Sequence, residues 1–218
     1  NAVVQHEPGN WIEPERVGHL AAIGIKKGKP FAPDGRMKAI LTDAVAVGNA
    51  TSRAILFASR DPRTKIYPDR QWYTSFFTGS HEFAEGGERG LDARTMFHYY
   101  ATGITPAMVG AKPGTGSAYT IGARDSQGRY LDGGKTYKVT LAAPIPAARF
   151  WSVTLYDNET RSMLETPQRF PRAGSQSYPT PAATANEDGS TTITFGPERP
   201  EDSPEGNWIQ TTEGKGWF

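Results

Sequence analysis

The sequence predicts an α+β chain, with a helical N-terminal half packed on a C-terminal antiparallel β-sandwich. Three observations carry this expectation. Apolar residues recur at i, i+3, i+4 and i+7 in the first half. From Gly114 onward the apolar period becomes two, and short turn signals separate the segments.

Pro14 opens a helix over residues 14–23, with Val17, Leu20 and Ala21 on one face, and Gly24 closes it. Asp34 is placed to cap a longer helix over 35–58. Its stripe is Met37, Ile40, Leu41, Ala44, Val47, Gly48, Thr51, Ala54, Ile55 and Ala58, and the small residues Ala44, Gly48, Ala54 and Ala58 predict a closely packed neighbour. A third helix over 93–102 begins after Asp92, with Leu91 and Met96 as a hydrophobic staple, and ends at Gly103.

Residues 60–90 are rich in Pro, Gly, Arg and aromatics and read as irregular, pinned by Trp72 and Phe76 or serving a function. Strands are expected at 117–124, 135–141, 150–156 and 191–195, with turns at Ser126-Gln127-Gly128, Asp132-Gly133-Gly134, Asp157–Thr160 and Asn186–Gly189. Residues 171–185, rich in Pro, Ser and Ala, read as an exposed loop. The expected division is 1–112 for the helical and connecting region and 113–218 for the sandwich.

A length of 218 residues suits one large domain or two small ones. Net charge is +1 without a basic stripe, so there is no nucleic-acid signature. The chain has no cysteine, which excludes disulfides, thiolate nucleophiles and cysteine-ligated zinc. No apolar run approaches the roughly 20 residues of a membrane span. The chain starts at Asn1, and Trp217-Phe218 after the turn at 213–216 reads as the opening of a strand; the expectation is a piece of a longer protein.

Three motifs bear on family. They are Leu91-Asp92-Ala93-Arg94-Thr95-Met96-Phe97-His98-Tyr99-Tyr100 with Ala101–Met108, then Phe150–Asp157 with Thr160–Leu164, then Asp188-Gly189-Ser190, Phe195-Gly196-Pro197 and Asn207–Thr211. Together they resemble bacterial proteins that pair domain-of-unknown-function families 1254 and 1214. The resemblance implies a jelly-roll-like C-terminal sandwich, preceded by the tail of an N-terminal domain. It also implies a periplasmic or exported location, without an agreed reaction. His98 stands where the family pattern leads one to expect an aromatic such as Phe.

Candidate chemistry falls in three places. Arg94 and His98 share a helix face at i, i+4, and Asp92 sits at the helix N-terminus, where unpaired N–H groups favour a carboxylate. With Tyr99, these residues can supply a general base or an anion site. The competing reading is a capping Asp92, a locally paired Arg94 and a packed His98. His81-Glu82 has the donor types of a metal site, but His6, His19, His81 and His98 show no ligand spacing; no metal site is assigned and no cofactor is predicted. Calcium stands as a weaker option on Asp125, Asp132, Asp157, Asn158 and Asp188, although turn chemistry alone explains each.

The third place is the strand Phe150–Tyr156 with Arg161. Alternation sends Trp151, Val153 and Leu155 to the core and Phe150, Ser152, Thr154 and Tyr156 to the other face. Tyr156, Arg161 and Trp208 are the candidate ligand-binding residues, for a small molecule or carbohydrate. An edge packed on the helical half is the alternative. Neither Gly-x-Ser-x-Gly nor Ser-x-x-Lys occurs, and Gly110–Gly116 lacks the Gly-Lys-Ser/Thr ending of a phosphate loop.

The leading expectation is therefore a ligand-binding or structural module of the bacterial envelope. The rivals are a hydrolase of polymeric, ester or phosphodiester substrates working through Asp92, Arg94, His98 and Tyr99, and a homo-oligomeric scaffold with exposed aromatics and sheet edges.

Overall fold

The structure is a computed structural model that describes residues 1–7, 13–109 and 117–218. Among the described residues it mixes helices with small two- and three-stranded sheets and contains no barrel. The chain divides into two compact units, Asn1–Ala54 and Ile55–Phe218. The boundary expected at 112/113 and the loop Gly110–Gly116 lie outside the described residues.

The first unit holds α1 (Ala2–His6), α2 (Pro14–Ala22) and most of α3 (Gly35–Phe57). Asp34 caps α3 as expected, accepting from Met37 N at 2.7 Å. The predicted stripe does not meet a close neighbour among the described residues: Ile40 is 41% and Val47 66% exposed. Gln5 closes the loop after α2, donating to Lys26 O at 2.8 Å and accepting from Gly28 N at 2.9 Å.

The second unit begins with the last residues of α3. Residues 60–90 hold short pieces: β1 (Trp72–Tyr73), then β2 (Ala84–Glu85) paired with β3 (Glu88–Arg89). α4 (Leu91–Tyr100) starts before Asp92, so Gly90 holds the cap position and Asp92 lies in the first turn. The staple is absent because Leu91 is 59% exposed while Met96 is buried. α4 sits on a small core of Phe83, Ala93 and Phe97, with Phe76, Phe77 and Tyr100 against it. α5 (Pro106–Val109) follows.

β4 (Ile121–Gly122) pairs with β1, and it is shorter than the strand expected over 117–124. β5 (Tyr137–Leu141), β8 (Thr191–Gly196) and β9 (Trp208–Gln210) form a three-stranded sheet; β6 (Ser152–Thr154) and β7 (Arg172–Gly174) form a two-stranded one. Both line one core of Leu155, Leu164, Ala173, Ile193, Phe195, Ile209 and Trp217. The pairing is not wholly antiparallel. β8 and β9 run parallel, because the Pro-rich stretch from Pro197 to Pro204 carries the chain out of the sheet and back in the same direction.

Residues 171–185 are also not simply an exposed loop. Pro171, Ala173 and Gly174 are buried, and Arg172–Gly174 pairs with β6. Gly174 permits this, since an added Cβ would lie 2.5 Å from Trp151 O. The backbone of Trp217-Phe218 pairs with Tyr156-Asp157, in line with the strand-like reading of that segment.

Candidate functional site

The site grows from one turn. After β6 the chain reverses at Asp157-Asn158-Glu159-Thr160, and Asp157 organises the reversal. Its Oδ1 accepts from Glu159 N at 2.7 Å and Thr160 N at 3.0 Å, while Arg161 N donates to Asp157 O at 2.8 Å. Lys215 Nζ lies 3.3 Å from Oδ2. Burial pushes the Asp157 carboxyl up, but the two backbone N–H groups and Lys215 outweigh it and hold the group below its ordinary value. The turn delivers Arg161 at φ 61°, a left-handed conformation that arginine seldom adopts.

From there the Arg161 guanidinium reaches α4, lying 4.4 Å from the Tyr99 ring centroid. Its Nη1 donates to Glu159 O and lies 3.5 Å from Tyr99 Oη. Tyr99 meets Phe57 edge-on at 6.5 Å, and Phe57 meets Phe218 at 5.4 Å. Phe218 stacks on Tyr156 at 5.6 Å with 26° between planes. Tyr156 N and O each pair with Phe218 at 3.0 Å, and Tyr156 stays 37% exposed. The outcome is a row of four rings with a cation over one end. No carboxylate pairs with Arg161 among the described residues.

This row joins Tyr99, expected in the catalytic group, to Tyr156 and Arg161, expected in the ligand group. The other expected residues stand apart from it. At about 100° per residue, Asp92 and Tyr99 lie on one flank of α4 while Arg94 and His98 lie on the other. His98 is exposed; its Nδ1 donates to Arg94 O at 2.9 Å, and its ring meets Phe83 edge-on at 5.6 Å. Asp92 is exposed in the first turn. Trp208 is packed into the three-stranded sheet, with Nε1 donating to Gly196 O at 3.1 Å.

The turn carboxylates considered for calcium are engaged locally. Asp125 Oδ1 accepts from Gln127 N and Arg129 N, both at 2.9 Å. Asp132 Oδ1 accepts from Gly134 N at 3.0 Å, and Asp188 Oδ1 from Ser190 N at 2.9 Å. Among the described residues no three His, Asp or Glu side chains converge for a metal.

Phe57 and Phe218 escaped sequence reasoning. Phe57 lies off the apolar stripe of α3, and Phe218 reads as an ordinary strand residue. Only tertiary placement brings them together.

Comparison with known proteins adds little chemistry. Residues 116–218 match the family described as "Protein of unknown function (DUF1214)". No curated protein matches. Among solved structures, the VPA0106 protein from Vibrio parahaemolyticus aligns over 93% of this chain with 19% identity and a TM-score of 0.40. The chain spans 44% of that structure's length.

Proposed function

We propose that residues 55–218 form a ligand-binding module for an amphipathic anion, whose ring lies on Tyr156 and whose charge meets Arg161. The observation that carries the proposal is the guanidinium of Arg161, held over Tyr99 by a strained turn and lacking a carboxylate partner among the described residues. A half-buried arginine usually has an anionic partner, and its planar fork suits a carboxylate or phosphate. Tyr156, 37% exposed, supplies the apolar surface such a ligand needs. Titration with phenyl phosphate tests this: Arg161→Gln weakens binding at least tenfold, and unchanged binding in a folded variant contradicts it.

A second reading is hydrolysis with His98 as the general base beside Arg94, on the flank of α4 opposite Asp92 and Tyr99. One observation favours it. The Arg94 carbonyl fixes the proton on His98 Nδ1, which leaves Nε2 of an exposed imidazole as the acceptor a general base needs. Ester or phosphodiester cleavage that survives His98→Ala removes this reading.

The family motifs support wider placement. The module belongs, on this proposal, to an exported, periplasmic bacterial protein in which a jelly-roll-like domain over 113–218 follows a domain of the 1254 family. Self-association through exposed aromatics and short sheet edges is part of the same proposal. A native mass measurement on the chain decides the last point.

A further inference from the structure

Tyr156 is the middle rung of a short ladder of three backbone segments. On one side its N–H donates to Phe218 O and its carbonyl accepts from Phe218 N, both at 3.0 Å. On the other side it bridges Met163 in the antiparallel sense. The bonds of that bridge flank the pair: Leu164 N donates to Leu155 O at 3.0 Å, and Asp157 N donates to Ser162 O at 2.9 Å. Tyr156 and Met163 are therefore a non-hydrogen-bonded pair, the kind whose side chains stand closest across a ladder.

Alternation sorts the two faces. Leu155, Leu164 and Trp217 each neighbour one of the three rungs in sequence, and all are buried in the larger core. Met163, Tyr156 and Phe218 consequently share the opposite face. There the Phe218 ring stacks on Tyr156 at 5.6 Å. Met163 is 50% and Tyr156 37% exposed. Polar side chains are the ordinary choice on the outer face of an antiparallel ladder. Here a methionine, whose flexible thioether adapts to irregular apolar and aromatic shapes, continues the row of rings past Tyr156.

We propose that Met163 sets the size of the ligand's apolar part. It extends the surface of Tyr156, so the site favours an anion whose apolar part is larger than one ring, such as a fused bicyclic aryl phosphate. The inference rests on the reading of Tyr156 and Arg161 given above.

The test is calorimetric titration of the full chain with phenyl phosphate and with naphthyl phosphate, read as the ratio of the two affinities. Wild type binds naphthyl phosphate about fivefold tighter, because the second ring buries further apolar area on Met163. In Met163→Thr the ratio falls to about one, and in Met163→Leu, which restores an apolar side chain, it stays near the wild-type value. Melting temperature reports folding. Should Met163→Thr fail to fold, Met163→Gln keeps the length but adds a polar end, and its ratio also falls. A wild-type ratio near one, or a ratio unchanged in the folded Thr or Gln variant, overturns this inference and leaves the Arg161 reading standing. Binding of neither phosphate to wild type overturns both.

Discussion

The guanidinium of Arg161 lies 4.4 Å from the centre of the Tyr99 ring, which ties the turn after β6 to α4 within the second unit. Two segments 62 residues apart in sequence therefore meet through one cation–π contact and a chain of rings.

The contact is measurable as a coupling energy. A double-mutant cycle with Tyr99→Leu and Arg161→Gln, read by urea unfolding, gives about 0.5–2 kcal/mol of interaction. A value of zero places the two side chains in independent environments.

Asp157 links stability to pH. Its carboxyl is held below the ordinary 3.8 in the folded chain, so the stabilisation is complete above that value and is lost as pH falls through the folded one. Asp157→Asn removes this part of the acid-side decline, and the plot of unfolding free energy against pH below about 5 becomes shallower. Asp157→Ala also strips the acceptor from Glu159 N and Thr160 N, at a cost of about 1–3 kcal/mol.

Asn207 belongs to one of the three motifs that carry the family resemblance, and its bonds are structural. It accepts from Thr184 N at 2.7 Å and donates to Thr184 O at 2.9 Å and Thr192 O at 2.8 Å. Asn207→Ala destabilises by about 3 kcal/mol, because buried backbone groups lose their partners. A urea midpoint within error of wild type contradicts this.

Two glycines behave oppositely on conversion to alanine. At Gly133 an added Cβ would lie 2.0 Å from Thr212 O, so Gly133→Ala costs about 3 kcal/mol. At Gly18, inside α2, an added Cβ meets nothing within 4 Å, and Gly18→Ala favours the helix by about 0.5–1 kcal/mol. Chemical denaturation of both variants, followed by circular dichroism, checks the two signs.

Local signals were legible where chemistry is local. The Asp34 cap, the helix stop at Gly24 and the turns at 126–128 and 186–189 all follow from side chains that act within a few residues. The inward set Trp151, Val153 and Leu155 also packs into the larger core as alternation predicts. What escaped depends on distant partners. Ala173 and Gly174 form a buried strand whose short, weakly apolar sequence signals nothing, because Gly174 is there to let Trp151 O approach. The parallel pairing of β8 with β9 follows from a connection and not from strand composition. In the candidate site, residue types were readable at Tyr99, Tyr156 and Arg161. Their convergence was not, because it depends on the φ of Arg161 and on Phe57 and Phe218 filling the space between.

On the proposed function, Arg161 presents its charge to a ligand beside Tyr156. Calorimetric titration of phenyl phosphate into wild type, Arg161→Gln and Tyr156→Ala tests it most directly, with melting temperature as the control for folding. Binding to wild type is expected to be saturable and to weaken at least tenfold in Arg161→Gln and several-fold in Tyr156→Ala. Binding that is absent from wild type, or equal in all three folded proteins, contradicts it and leaves Arg161 as a clamp between the turn and α4.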